Sequence, residues 1–297
     1  MSDGEFRSIG CVKNNGEASG HGIGMPLIYA HRGARSLAPE NTLAAAWAAA
    51  RVGAHGWEFD VRITKDGELI LIHDDTLERT TNAAIVFPGR APWRVREFTL
   101  AEIRVLDAGS WFVEQDPFGT IRDGQVAQEQ AAGYRDQRIP TLREALEFSR
   151  TLGLRVNIEL KATSSNLFAT PQDELAVEKT VELVRELGLA TQVIISSFNP
   201  RMLKLVKDRG PEIKTALLLA YPVEGLLPLL RHLRVDACNP EYRLFSYEVL
   251  GALRREGFEI YVWTVNEDVE LERFCQHPYI HGVITDWPQK VVKLVKR

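Results

Sequence analysis

The chain has 297 residues, a net charge of −4 and a hydrophobic share of 45%. This length and hydrophobic share suffice for one large α/β domain or two small ones, since single α/β barrels routinely exceed about 200 residues. The slight acidity and the dispersed basic residues argue against nucleic acid or a membrane surface as a partner.

Three further features limit the class of protein. Cys11, Cys238 and Cys275 are far apart and lack CxxC spacing, which disfavours a disulfide framework or a zinc site and suits a reducing cytoplasm. No apolar run approaches the ~20 residues of a membrane span. Residues 1–24 are rich in Gly, Asn and Ser, so we expect a disordered leader or a cloning remnant there and a single domain over 25–297.

Strand-like and helix-like runs alternate along most of the chain. The eight strand-like runs are 27–31, 56–61, 155–160, 193–197, 215–220, 235–240, 259–265 and 282–286. One helix is expected to begin at Asn41 or Thr42 and to stop at Gly53, and another opens with the capping box formed by Thr141 and Glu144. The alternation predicts a parallel sheet with helical crossovers, and eight strands close a TIM (β/α)8 barrel. The rival is a doubly wound open sheet, but no glycine-rich phosphate fingerprint follows the first strand.

One more strand-like run, residues 68–74, falls outside that count. It follows the second strand too closely for a parallel crossover, and Asp66-Gly67 is typical of a two-residue type I′ hairpin turn. With these two residues as the loop, Asp60 would face His73 across the hairpin. We therefore expect the hairpin to place His73 beside Asp60 at the barrel rim.

The segment from about 75 to 139 has no clean periodicity and contains two Trp and many charges. A structureless loop of this length would be unusual in a compact domain. We expect a small subdomain that is inserted after the hairpin and covers the barrel mouth.

Carboxylates end two of the predicted barrel strands. Glu58 and Asp60 are two residues apart on one strand face, and Glu159 and Lys161 are spaced in the same way on the next barrel strand. Three carboxylates at one mouth would repel each other unless a cation lay among them, and all-oxygen ligands favour Mg²⁺ or Ca²⁺ over zinc. A divalent ion with Arg32 and Lys161 would leave a surplus of one positive charge, which suits a phosphodiester anion.

Each of these features alone has a plainer explanation. The strand end at His31 is more often a capped turn, a Glu-x-Asp pair is more often a solvated edge, and Trp263 alone is more typical of a core residue than of a substrate wall. The coincidence of position favours a function, because both histidines and all three carboxylates fall at one end of one predicted barrel.

The ordered set HRG…PENT, ExD, a hairpin to HD, IELK, WTVN and GVITDWP, over about residues 27 to 290, resembles the glycerophosphodiester phosphodiesterase family. The resemblance implies a TIM barrel with a small insertion after the HD motif. It also implies roles for residues at the mouth: an acid–base pair, His31 and His73; ligands of one divalent ion, Glu58, Asp60 and Glu159; and a phosphate contact, Arg32. We add Lys161 and Trp263 as expected substrate-binding residues.

The expected function is metal-dependent hydrolysis of a small glycerophosphodiester to an alcohol and glycerol 3-phosphate. The resemblance implies a route through a cyclic phosphate, formed when the glycerol 2-hydroxyl attacks phosphorus. Two alternatives stay open: a lysophospholipase D-like enzyme acting on lipids, which an apolar insertion surface would favour, and a non-catalytic barrel acting as a binding protein. We expect a cytoplasmic protein with no nucleic-acid partner and no integral membrane segment.

Overall fold

The computed structural model describes residues 25–163 and 169–295, so the expectation about residues 1–24 concerns a segment outside the described residues. Eight parallel strands form a closed barrel surrounded by helices, which confirms the predicted TIM fold. In chain order the strands are β1 (Leu27–Ala30), β2 (Gly56–Ile63), β3 (Leu69–Leu71), β4 (Arg155–Leu160), β5 (Val193–Ser197), β6 (Lys214–Leu219), β7 (Ala237–Pro240), β8 (Glu259–Val262) and β9 (Gly282–Thr285). Strand β3 is the exception, because it pairs antiparallel to β2 and lies outside the barrel wall.

The helices lie mainly between consecutive barrel strands. In chain order they are α1 (Leu43–Val52), α2 (Ala83–Val86), α3 (Leu100–Ile103), α4 (Ser110–Gln115), α5 (Gln128–Ala132), α6 (Leu142–Leu152), α7 (Pro171–Glu186), α8 (Pro200–Arg209), α9 (Leu226–Leu233), α10 (Tyr247–Arg255), α11 (Asp268–Cys275) and α12 (Pro288–Val295). The short helices α2 to α5, together with a 3₁₀ helix at Val95–Glu97, occupy the segment between β3 and α6. Among the described residues, none of these helices combines the length and the apolar character needed to cross a bilayer.

The barrel closes because β1 pairs with both β2 and β9. Tyr29 is the residue of β1 that lies in register with Gly56 on one side and with Ile284 on the other. Tyr29 and Ile284 belong to a buried cluster inside the barrel, where the rings of Tyr29 and Tyr261 meet edge to face at 5.7 Å. Gly282 leaves room for this packing, since a Cβ there would collide with the Tyr261 ring. The interior is therefore a packed core, and any open site must lie at a barrel end.

The turn of the β2–β3 hairpin differs from the prediction by one residue. Val61 pairs with Leu71, and the backbone N–H of Thr64 donates to the carbonyl of Glu68 at 2.9 Å. The loop therefore has three residues, and its last residue, Gly67, has a left-handed φ of +82°. This geometry matches a type I turn followed by a glycine bulge instead of a type I′ turn.

The prediction that Asp60 faces His73 is therefore wrong. Ile72 takes that place, and its N–H donates to the Asp60 carbonyl at 3.0 Å. The physical reason lies in the loop, where the Asp66 carboxylate accepts a hydrogen bond from the Thr64 hydroxyl at 2.6 Å. This contact draws Asp66 into a longer loop than the Asp-Gly pattern alone indicates.

The turn after β1 depends on Gly33. This residue has a φ of +81°, and a Cβ on it would lie 2.5 Å from the Cβ of Ala45 in α1. Gly153, which ends α6, also has a positive φ of +66°, but no atom lies within 4 Å of its corresponding position. An alanine at Gly33 would incur backbone strain and a steric clash, whereas an alanine at Gly153 would incur strain alone.

We expect Gly33→Ala to lower the free energy of unfolding by about 2–4 kcal/mol and the matched control Gly153→Ala by about 1 kcal/mol. Urea unfolding followed by circular dichroism measures both values. Equal losses of unfolding free energy in the two variants would contradict the close approach of α1 and the turn after β1.

Candidate functional site

The inward-facing alternation of the strands carries polar side chains to the C-terminal mouth of the barrel. Outward positions such as Phe59, Ile158 and Val283 pack in the buried layers outside the barrel. The positions between them, and those that continue the same alternation past the strand ends, face the barrel axis. At the mouth these positions are His31, Glu58, Asp60, Arg62, Glu159, Lys161, Trp263 and Asp286.

Glu58, Asp60 and Glu159 form a buried cluster at this mouth. One carboxylate oxygen from each of them lies within 4.8 Å of the others. The pairing of β2 with β4 brings them together, because it sets Asp60 in register with Glu159, and Glu58 lies two residues earlier on the same face. Oε1 of Glu58 is buried without a hydrogen-bond partner among the described residues. An all-oxygen, buried and incompletely paired set of ligands fits a hard divalent cation.

Basic side chains compensate only part of this negative charge. Lys161 Nζ lies 3.0 Å from Asp60 Oδ1 and 2.5 Å from Glu159 Oε1, and Arg32 Nε lies 3.4 Å from Asp60 Oδ2. Burial would raise the pKa of Asp60, but Lys161 and Arg32 outweigh it and hold that pKa well below its usual range. Burial and the neighbouring carboxylates raise the pKa of Glu58 well above its usual value. Glu58 is thus the least compensated carboxylate of the cluster.

His31 is oriented by Asp286, which directly follows β9. Its Nδ1 lies 2.7 Å from Asp286 Oδ1, and its Nε2 lies 3.9 Å from Glu58 Oε2. Burial opposes ionisation of Asp286, but His31 and Arg35 hold the pKa of this carboxyl well below its usual range. Since an ionised carboxylate only accepts hydrogen bonds, Nδ1 of His31 carries the proton. In the neutral ring, Nε2 is then unprotonated and faces the carboxylate cluster. Burial also lowers the pKa of His31, although Asp286 opposes this, and so favours the neutral ring.

His73 has a similar carboxylate partner. Its Nδ1 lies 2.7 Å from Asp74 Oδ1, and its backbone carbonyl accepts a hydrogen bond from Arg62 Nε at 2.9 Å. Ile72, the residue before His73, donates its N–H to the Asp60 carbonyl, and a positive charge on the His73 ring would lower the pKa of Asp60 and of Glu159. His73 therefore lies beside the carboxylate cluster even though the predicted register of the hairpin is wrong.

Glu40 is a buried carboxylate in contact with three arginines. It lies 2.9 Å from Arg32 Nη1, 2.7 Å from Arg35 Nη2 and 2.7 Å from Arg79 Nη2. Burial would raise its pKa, but the three arginines outweigh burial and lower the pKa to about 2. Glu40 is therefore ionised throughout the neutral range.

Glu40 also connects the carboxylates that hold the two histidines. Arg35 Nη1 lies 3.5 Å from Asp286 Oδ1, and Arg79 Nε lies 2.6 Å from Asp74 Oδ2. Since both arginines also pair with Glu40, a continuous series of ion pairs joins the two sides of the site. We call this series the Glu40 network.

The Pro-Glu-Asn-Thr segment does more than start α1. Only Thr42 acts as the N-cap, since its side chain accepts a hydrogen bond from Ala45 N. Asn41 instead binds Asp60, donating from Nδ2 to Oδ2 at 2.9 Å and accepting the Asp60 N–H on Oδ1 at 3.2 Å. Glu40 and Asn41 are thus site residues that the reading of this segment as a helix start missed.

Asp74 and Asp286 are further residues to which sequence reasoning gave no role. Asp74 directly follows His73, and Asp286 directly follows the last barrel strand. Asp286 could have been predicted from its position. Polar residues that directly follow barrel strands form the site, and this rule applies to β9 as well.

The structure brings together seven of the eight sequence-predicted residues: His31, Arg32, Glu58, Asp60, His73, Glu159 and Lys161. Trp263 faces the same mouth, since it continues the inward alternation of β8, but its hydrogen bond and ring contact join it to other residues. Its Nε1 donates to the Asn239 carbonyl at 2.7 Å, and its ring meets Phe198 edge to face at 5.5 Å. These two contacts place its side chain beside β7 and the end of β5.

Comparison with known proteins agrees with this geometry. A sequence model of the Glycerophosphoryl diester phosphodiesterase family matches residues 31–290. The glycerophosphodiester phosphodiesterase of Caldanaerobacter subterraneus subsp. tengcongensis is 35% identical over 273 residues, which cover 91% of this chain and 98% of that protein. A protein of the same name from Bacillus subtilis is 31% identical over 276 residues, covering 91% of this chain and 86% of its own length.

Solved structures show the same likeness. A phosphodiesterase of Oleispira antarctica, in complex with the product sn-glycerol-3-phosphate, has a TM-score of 0.75 and 27% identity, covering 92% of this chain and 98% of that one. The glycerophosphodiester phosphodiesterase of Agrobacterium tumefaciens has a TM-score of 0.69 and 28% identity, with coverages of 91% and 100%. The chain is therefore an enzyme that belongs to the glycerophosphoryl diester phosphodiesterase family.

Proposed function

We propose that this enzyme hydrolyses glycerophosphodiesters to a free alcohol and glycerol 3-phosphate with the help of one divalent cation. The observation that carries the proposal is the arrangement at the mouth, where two carboxylate-oriented histidines flank three buried carboxylates. The product bound by the Oleispira antarctica relative supports the choice of substrate class.

The residues that would hold the cation are Glu58, Asp60 and Glu159, since their buried oxygens converge and Oε1 of Glu58 has no hydrogen-bond partner among the described residues. Mg²⁺ or Ca²⁺ held by these residues would neutralise charge on a phosphoryl group and would make a neighbouring hydroxyl more acidic. Lys161 and Arg32 border the same carboxylates, so their positive charges are placed to bind the oxygens of a phosphodiester.

The two histidines would share the proton transfers. His31, whose lowered pKa favours the neutral ring, accepts the proton of the glycerol 2-hydroxyl as that oxygen attacks phosphorus. His73, in the protonated form, donates its proton to the oxygen of the leaving alcohol, and a cyclic phosphate results. Water then opens the cyclic phosphate with the two roles reversed, which yields glycerol 3-phosphate and restores both rings.

A second candidate is a lysophospholipase D-like activity on lipid substrates. Helix α2, in the segment above the hairpin, exposes two adjacent apolar side chains, Ile85 and Val86, at 81% and 37%. This is the kind of apolar surface that a lipid chain would contact. Assays of glycerol 3-phosphate release from glycerophosphodiesters and of choline release from lysophosphatidylcholine, with Mg²⁺ and with Ca²⁺, distinguish the two candidates.

We expect His31→Ala and His73→Ala each to lower kcat by ~10²–10⁴-fold, the usual contribution of a general acid or base. Asp286→Asn should lose at least about tenfold in kcat, because Asn266 Nδ2 would hold the new amide oxygen and turn the amide NH2 toward Nδ1, which favours the wrong tautomer of His31. The control is Asp123→Asn, an exposed carboxylate paired with Arg122, which should keep full turnover. Wild-type turnover in either histidine variant would remove that ring from the mechanism.

The 2-deoxy analogue of a glycerophosphodiester tests the cyclic-phosphate route. An attacking hydroxyl on the substrate itself has a large entropic advantage over free water, so its removal should nearly abolish turnover while binding persists. Turnover of the normal and 2-deoxy substrates is compared at saturation, and competitive inhibition by the analogue confirms that it binds. Similar rates would mean that water attacks phosphorus directly.

A further inference from the structure

A cleft beside the carboxylate cluster is rich in positive charge. It lies between the end of β4, the outer part of β2 and the 3₁₀ helix Val95–Glu97. Its basic lining residues are Arg62, Arg94, Arg96 and Lys161, and its lining also includes the carboxylate of Asp75. The cleft thus shares Lys161 with the candidate active site.

Two of these basic side chains make no direct ion pair among the described residues, although four nearby carboxylates favour the charge of Arg62: Asp60, Asp74, Asp75 and Glu159. Lys161 is paired with the cluster, and Arg94 Nη1 lies 3.5 Å from Asp75 Oδ2. For Arg62 and Arg96, no carboxylate oxygen of the described residues lies within ion-pair distance. Arg62 is partly buried, and the hydrogen bond recorded for its side chain joins Nε to a backbone carbonyl. A partly buried, unpaired guanidinium is stabilised by an anion that binds against it.

The strand geometry fixes where such an anion would lie. Arg62 is two residues beyond Asp60 on the same face of β2, which corresponds to about 7 Å along the strand. A phosphodiester held at the carboxylate cluster would therefore project one of its two substituents along β2 and into the cleft. Arg62, which lines the cleft, donates to the backbone carbonyl of His73, the expected proton donor, so we assign that substituent to the leaving alcohol.

We propose that the cleft is a subsite for an anionic group, a carboxylate or a phosphate, on the leaving alcohol of the substrate. The proposal rests on the proposed function, because it assigns the substrate class of that same site. Arg62 and Arg96 would form charge-assisted hydrogen bonds to the anion, and Arg94 would add its charge at the edge.

Two matched substrate pairs test the subsite. Glycerophosphoserine and glycerophosphoethanolamine differ by one carboxylate, and glycerophosphoglycerol and its terminal phosphate ester differ by one phosphate. For the wild-type enzyme we expect a higher kcat/KM for the anionic member of at least one pair, mainly through a lower KM. The ratio of kcat/KM for the anionic member to kcat/KM for the member that lacks the added anionic group should fall toward one as ionic strength rises, since salt screens partly exposed charges.

Arg96→Gln should lower this ratio by roughly 3- to 10-fold, the effect of one partly exposed ionic contact. Arg96→Lys keeps the charge and should retain most of the preference. The control is Arg122→Gln, which removes an exposed arginine outside the cleft lining and should leave the ratio unchanged.

The outcomes separate the subsite from the proposed function. Equal kcat/KM within both pairs, with no effect of Arg96→Gln, would overturn the subsite while the hydrolysis itself stands. A preference that is insensitive to Arg96→Gln and to salt would also overturn it. If none of the four diesters releases glycerol 3-phosphate, the proposed function itself fails.

Discussion

Mutual repulsion among three buried carboxylates is the constraint on which the rest of the site depends. At the upper limit of their separation, 4.8 Å, each pair of ionised groups would repel by about 3–4 kcal/mol at an effective dielectric constant of about 20. Lys161 and Arg32 offset this mainly at Asp60, which is why its pKa is lowered while that of Glu58 is raised. A divalent cation would remove the remaining repulsion. The same charge balance would then favour a phosphodiester anion.

The Glu40 network holds two histidines from distant parts of the chain in one arrangement. The carboxylate partner of each histidine is tied through one arginine to the same buried Glu40. Glu40 lies in the connection between β1 and α1, while Asp74 follows the hairpin and Asp286 follows the last barrel strand. Displacement of one histidine is therefore resisted by charges that also fix the other, which would preorganise both for the proposed proton transfers.

Much of this arrangement is predictable from sequence because it depends on local rules. Strand alternation has a period of two residues, so a carboxylate or histidine at a strand end can be assigned to the barrel mouth before any contact is known. The eight barrel strands and the helix caps at Thr42 and Thr141 follow from similar local patterns. Six of the eight expected site residues face the mouth for this reason, whereas Arg32 lies in the turn after β1 and His73 at the end of the hairpin.

The remaining features depend on contacts between distant segments. The hairpin register depends on Asp66. Its carboxylate also accepts a hydrogen bond from the N–H of Leu100 at 3.0 Å, and this tertiary contact is not encoded in any turn pattern. The pairing of His31 with Asp286 requires that β1 and β9 are neighbours, which only barrel closure provides. Trp263 lies in the predicted place along the chain, but its packing against Phe198 is set by the neighbouring strands.

Anomalous diffraction from a crystal soaked in Mn²⁺ tests the central claim most directly, because manganese substitutes for Mg²⁺ at oxygen-rich sites and can be located without reference to activity. The account predicts one strong peak at the barrel mouth, about 2.2 Å from oxygens of Glu58, Asp60 and Glu159. A manganese peak at another place would contradict the account. The absence of a peak at this cluster, with a neutral Glu58 hydrogen-bonded to its neighbours, would contradict it as well.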